Sequence, residues 1–255
     1  MKQTLLILLF ISLSLDSLAY CVGAAIDFWP SKQKIKQNSI IIINTYGASQ
    51  KIIRRLNKRY PIYLQSGNHK VKLVVQNIYK GEFRITQAIL RLEKKLEPNK
   101  EYQLFIDNLP KKYYQLGDFD ETTKEHYFAR WTVNEGEDNL VPKWTVKPIE
   151  TSKRYTRYGC GPDSYVDFKF HADDKSSFVI IVKVKNLFTK RKTEYLLEPS
   201  DSTLSVGHGM CSGAFLFRHG NNFEVTFDIM DASGNLTKWN DVGIIFTKPK
   251  RPIYR

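Results

Sequence analysis

Apolar and polar side chains alternate along most of the chain with a period of two. Tyr60, Ile62 and Leu64 alternate with Pro61 and Tyr63, and Val71, Leu73 and Val75 alternate with Lys70 and Lys72. Tyr102, Leu104 and Ile106 do the same against Glu101, Gln103 and Asp107. Successive side chains of a strand point to opposite faces, so this pattern predicts half-buried strands. Ile40 to Ile43 is a continuous β-branched run and predicts a strand covered on both faces. Gln65-Ser66-Gly67-Asn68 between two of these segments predicts a hairpin turn, and Leu96 to Lys100 a second turn. Helical spacing occurs at Ile52, Ile53 and Leu56 within Ser49 to Lys58, a stretch that equally fits a strand or an irregular connection.

Tyr127, Ala129, Trp131 and Val133 read as the closing strand of a first unit. The acidic, apolar-free run Asn134 to Asn139, followed by Pro142, then marks a domain boundary, because linkers are polar and rich in breakers. In the second half, alternation recurs at Val166, Phe168 and Phe170, at Phe178, Ile180, Val182 and Val184, and at Phe223, Val225, Phe227 and Ile229. With Trp144 to Val146, Tyr195 to Leu197, Ala214 to Phe217 and Val242 to Phe246, this half holds the strand count of an immunoglobulin-like sandwich. The expected fold is all-β, with two tandem sandwich domains over residues 25–141 and 142–250 and a basic tail at 251–255.

Two segments carry a family resemblance. LEPNKEYQLFIDNL, from Leu96 to Leu109, resembles the bacterial immunoglobulin-like pattern in which a Leu-x-Pro turn precedes a Tyr-containing strand. FEVTFDIMDASGNLTKW, from Phe223 to Trp239, is similar to fibronectin type III and bacterial immunoglobulin-like repeats, where a strand leads into an Asp-Ala-x-Gly-Asn loop. The resemblance implies adhesion, spacing or ligand display.

Met1 and Lys2 precede an apolar run from Leu5 to Leu15, the layout of a signal peptide and too short to span a bilayer. Small-residue cleavage patterns end at Ala19 and Ala24, and the second is preferred, giving a leader of residues 1–24. That cut removes Cys21 and leaves Cys160 and Cys211, an even number suited to one disulfide in an oxidising compartment. Both sit in glycine-rich loops where two backbones can approach closely. Alternatively Leu18-Ala19-Tyr20-Cys21 resembles a bacterial lipobox, with Tyr20 departing from its small-residue rule, and Cys21 would then carry a lipid. The expected location is outside the cytoplasm: periplasmic, outer-membrane-associated or extracellular.

The net charge of +13 attracts anionic partners through a long-range field. For an exported protein these are acidic glycans, lipopolysaccharide phosphates or anionic lipid surfaces before nucleic acid; the partner expected is a protein or an anionic glycan or lipopolysaccharide, not nucleic acid, with membrane attachment only through a lipid anchor. Cationic and aromatic residues mix at Lys153, Arg154, Tyr155, Arg157 and Tyr158, and Lys190 and Arg191 add a second basic site; these are the candidate ligand contacts. Lys51 to Arg59 and Lys248 to Arg255 are further basic clusters, and Tyr113 and Tyr114 lie beside Lys111 and Lys112.

Catalytic and metal chemistry is thinly represented. Gly209-Met210-Cys211-Ser212-Gly213 has the form of a nucleophile elbow, but that device needs a strand-to-helix turn over a parallel sheet, which the pattern does not predict. The five histidines lack ligand spacing. Calcium is the metal with candidate ligands, at Glu135, Glu137, Asp138 and Asn139 and at Asp228, Asp231 and Asn235. The leading expectation is a non-enzymatic binding, adhesion or scaffolding protein without cofactor or catalytic residue. An exported hydrolase or polysaccharide-processing enzyme and an assembly chaperone acting by strand pairing are the alternatives.

Overall fold

The computed structural model describes Cys21, residues 23–174 and residues 176–251. Residues 1–20 and 22 of the expected leader (1–24) and the end of the basic tail, residues 252–255, lie outside the described residues.

The first sandwich is built from β1 (Ala24–Trp29), β2 (Lys34–Ile35), β3 (Ile41–Gly47), β4 (Ile62–Ser66), β5 (His69–Lys80), β6 (Ile85–Leu92), β7 (Glu101–Ile106) and β10 (Ala129–Val133). A small hairpin, β8 (Asp118–Asp120) and β9 (Glu125–Tyr127), sits between β7 and β10. The order β1-β3-β6-β5 faces β4-β7-β10, with β2 parallel to β10. Lettered in chain order without β2, that is A-B-E-D against C-F-G, the constant-type immunoglobulin arrangement. Strand β5 belongs to both sheets: its start pairs with β4, and beyond the turn of the sheet it pairs with β6, with an irregularity between Val75 and Asn77. Bulges of this kind bend a strand around a corner.

Tyr102 supplies a second immunoglobulin-like mark. Its hydroxyl accepts the Glu97 N–H at 3.2 Å, a side chain reaching back to backbone a few residues upstream, as in a tyrosine corner. The helical stretch foreseen over Ser49 to Lys58 shrinks to α1 (Gln50–Ile53). Beyond it the N–H groups of Lys58, Arg59 and Tyr60 all converge on the Arg55 carbonyl, which closes a tight turn.

Residues 134–142 connect to the second sandwich. There β11 (Lys143–Tyr158), β12 (Gly161–Asp173) and β15 (Thr203–His208) form one sheet. The facing sheet has β14 (Lys192–Leu197), β13 (Phe178–Asn186) and β16 (Asn222–Asp231), with β17 (Leu236–Thr237) and β18 (Ile244–Thr247) along the far edge of β16. Instead of a short strand at Trp144 to Val146 followed by loops, β11 runs sixteen residues. The alternation misses it because an edge strand exposes nearly every side chain. Ala214 to Phe217, expected as a strand, is irregular, since Phe215 is buried as a plug in the core without ladder partners on both sides.

The two sandwiches stack face to face. Ile41 and Ile43 enter the first core, whereas Ile40 and Ile42 point the other way into a separate cluster with Trp29, Val179, Ile181 and Met230. The β-branched run is therefore buried on both faces, with Ile40 2% exposed and Ile41 0%. Strand β13 mirrors it, sending Ile180, Val182 and Val184 into the second core and Val179 and Ile181 into the shared cluster. Gln87 crosses the interface: its amide donates to the Leu196 carbonyl and its oxygen accepts the Leu196 N–H, both at 2.9 Å. A buried amide satisfied in this way adds directional specificity to an apolar contact.

Candidate functional site

The disulfide joins Cys21 to Cys211, with Cα atoms 5.3 Å apart. This corrects the Cys160–Cys211 pairing: Cys160 occupies the turn between β11 and β12 and lies outside the bond. The physical reason is the placement of β1 at the edge beside the irregular segment 209–217. In that region the backbones of Phe83 and Gly213 exchange hydrogen bonds, 3.1 and 2.8 Å, which brings the first sandwich against the loop carrying Cys211. A sulfur held in a disulfide cannot form the thioether of a lipoprotein anchor, so lipidation at Cys21 is incompatible with this arrangement.

A groove of about 1110 Å³ lies on the second sandwich. One wall is a row across one sheet, Tyr155 on β11, Ser164 on β12 and His208 on β15, with Pro162 beside it. The opposite wall is the segment Leu216 to Arg218 with Asn221 and Asn222, and the third side is the exit of β18, Thr247 to Arg251.

Each wall has a local cause. Glu82, on the turn between β5 and β6, accepts the Leu216 N–H at 3.0 Å and the Thr193 hydroxyl at 2.5 Å. The Asn186 amide donates to the carbonyls of Arg218 and His219, at 2.8 and 2.6 Å, which fixes the tight turn before β16. Lys248 N–H donates to Asn221 O at 3.0 Å, so the strand exit is tied to the same turn. At Gly207, φ is +150° and a Cβ would fall 2.0 Å from the Ser164 carbonyl. Only glycine allows β15 to approach β12 so closely there.

The groove is electrostatically one-sided. Arg218, Lys248, Lys250 and Arg251 line it, and its lining contains no carboxylate. Among the described residues none of these four forms an ion pair. Tyr155 adds an aromatic face, with the Arg251 guanidinium 5.9 Å from the ring centre.

The contacts expected from sequence are divided by the fold. Tyr155 lines the groove, and Lys153 reaches its rim by donating to the Thr247 hydroxyl at 2.5 Å while pairing with Glu150 at 3.0 Å. Arg154 turns to Asp167, donating from Nε and Nη2 at 2.7 and 2.9 Å. That guanidinium, helped by the hydroxyls of Ser152 and Ser205, holds the Asp167 carboxyl down at about 2. Arg157 and Tyr158 continue to the hairpin tip and do not line the groove. Lys190 and Arg191 lie on the β13–β14 turn, whose Asn186 braces the groove wall from behind. Arg218 is the contact that sequence reasoning missed; Lys248, Lys250 and Arg251 belong to the basic cluster noted from Lys248 onward, of which Arg251 was assigned to the tail.

The calcium candidates serve as structural links. The Asp138 carbonyl accepts from Asn38 and Asn235 at 2.8 and 3.0 Å. Asp231 is fully buried, and its carboxylate accepts the N–H groups of Ser233 and Asn235 and the Asn235 amide. Burial raises its pKa, with those hydrogen bonds opposing the rise. Glu137 pairs with Lys95, and the Glu135 carbonyl accepts from Lys36. Among the described residues no three His, Cys, Asp or Glu side chains gather as a metal site.

Sequence comparison identifies no relative. No protein-family model matches the chain, and no curated protein does. Among solved structures it aligns with type I pullulanase from Bacillus subtilis str. 168 complexed with maltose, at 12% identity and a TM-score of 0.27, over 92% of this chain. The chain spans 28% of that enzyme's length. It also aligns with tandem Ig repeats of Dlar (9% identity, TM-score 0.24, 84% of this chain and 95% of that one) and with a marsupial T cell receptor (7%, 0.20, 87% and 73%). At these TM-scores no shared activity follows, and the fold rests on the strand order described above.

Proposed function

We propose that this chain is an exported, non-enzymatic binding protein of the cell envelope whose second sandwich receives an anionic glycan. The observation that carries the reading is the groove with four cations and no carboxylate in its lining. Unpaired cations in a concave site concentrate field on an anion, and sulfate or phosphate groups on a sugar supply the matching charge. Tyr155 offers a ring face beside them. Hydrolysis of a glycoside by the usual route uses two carboxylates flanking the bond, which this groove does not offer. The sandwich carrying it places three strands against the β14-β13-β16-β18 layer, and we assign it to the fibronectin type III-like group. The double variant Lys248→Glu/Arg251→Glu is expected to lower affinity for a sulfated glycan such as heparin by about tenfold or more, with wild-type binding falling as salt rises. Equal retention of variant and wild type on a heparin column would refute the reading.

Export is supported by the N-terminal pattern together with a disulfide, which persists in oxidising compartments. The cut consistent with it follows Ala19, because a cut after Ala24 removes Cys21 and also Gly23, whose carbonyl accepts the Ala48 N–H at 2.8 Å. Intact-mass analysis of the secreted protein should therefore give a chain beginning at Tyr20. A mass corresponding to Ala25, or one carrying lipid on Cys21, would rule this out.

A further inference from the structure

We infer that the first sandwich carries a docking surface for an anionic lipid bilayer, distinct from the groove on the second. Two segments create it. Residues 48–61 contain Lys51, Arg54, Arg55, Lys58 and Arg59, and residues 108–117 contain Lys111 and Lys112; neither segment has an Asp or a Glu. All seven cations are exposed. Among the described residues none of them pairs with a carboxylate.

The fold joins the two segments at both ends. The Tyr113 hydroxyl donates to the Ala48 carbonyl at 3.2 Å, and the Asn108 amide donates to the Arg59 carbonyl at 3.4 Å. Lys111 and Lys112 lie between those anchor points, so the seven charges form one patch. Two acids border the second segment in sequence: Asp107 is engaged elsewhere, by the Tyr63 hydroxyl at 2.9 Å and Lys70 at 3.8 Å, and Asp118 is the exposed first residue of β8.

Beneath the patch Ile52, Ile53, Leu56, Tyr60, Leu109 and Tyr113 all belong to the first core. Apolar side chains thus pin the backbone from below while every cation faces out. Arg59 and Lys112 lie over the rings of Tyr60 and Tyr113, at 5.8 and 5.3 Å from the ring centres, but among the described residues no carboxylate pairs with any of the seven; a sheet of negative headgroups supplies the matching charge. Among the described residues no helix is long and apolar enough to cross a membrane, and adsorption at the headgroup level needs none.

Each cation held near an anionic surface strengthens partitioning by roughly fivefold. In co-sedimentation with vesicles of phosphatidylglycerol and phosphatidylcholine, the full chain should bind at low salt and be released at high salt. Arg54→Glu/Arg55→Glu/Lys58→Glu should weaken that binding by about 100-fold or more. All three positions are exposed, and an unchanged circular dichroism spectrum and melting temperature would confirm that the variant is folded. Lys248→Glu/Arg251→Glu should bind vesicles like the wild type, which separates this surface from the groove. Equal binding to pure phosphatidylcholine, no binding at low salt, a triple variant that binds like the wild type, or loss of vesicle binding on changing the groove alone would each overturn the proposal. So would a triple variant that loses binding to soluble dextran sulfate while vesicle binding stands.

Discussion

Cys211→Ser should destabilise the oxidised protein by about 5 kcal/mol, the chain-entropy value for a loop of this size. The bond spans a sequence separation of 190 residues, so it removes more freedom from the unfolded chain than a short-range crosslink would. It also ties the start of β1 in the first sandwich to the segment that walls the groove in the second. Denaturant unfolding of oxidised wild type, reduced wild type and the variant measures the effect. A loss under about 1 kcal/mol would mean that the bond contributes little beyond packing. Cys160→Ser is the matching control and should leave the Cys21–Cys211 crosslinked peptide unchanged. A Cys160-containing crosslink in the wild type would contradict the observed pairing.

Phe168→Ala should cost about 4 kcal/mol, within the range for emptying a buried aromatic site. Phe168 is 0% exposed and lies at the centre of the second sandwich, edge-to-face with Phe227 at 5.3 Å and Phe246 at 5.7 Å. Those rings come from the opposite sheet, so truncation removes the contact that joins the two layers as well as the buried area. Phe188, 78% exposed, provides the comparison, and its change to Ala should shift the thermal midpoint very little. Equal midpoints for the two variants would show that the core is not organised around Phe168.

Much of the fold is legible in the pattern of side chains, because a strand's two faces are written in adjacent letters. Tyr102, Leu104 and Ile106 mark an inward face, and β7 forms there. Ile40 to Ile43 announced burial on both sides, and the structure shows the cause, a second sandwich stacked on the first. Val179 to Val182 held the same signal, but its alternation with Lys183 and Lys185 drew attention to one face alone. The Leu-x-Pro segment before Tyr102 likewise carried its corner hydrogen bond in its spacing. Strand β11 was hidden because an exposed edge strand shows no apolar alternation, and the choice among helix, strand and irregular connection over Ser49 to Lys58 stayed open because three apolar residues at helical spacing also suit a pinned turn.

The site was legible in its chemistry and not in its assembly. Sequence alone determined an all-β chain, a strong positive charge and the places where cations cluster. It could not say that Lys111 and Lys112 meet Lys51 to Arg59, that Tyr155 faces Arg218 and Arg251 across a groove, or that Arg154 is spent on Asp167. Nor could it choose Cys21 as the partner of Cys211. Strand character depends on neighbours one or two residues away, whereas each of these meetings depends on which sheet edge lies beside which loop after the sandwiches have closed and stacked. That was decided only by the tertiary structure.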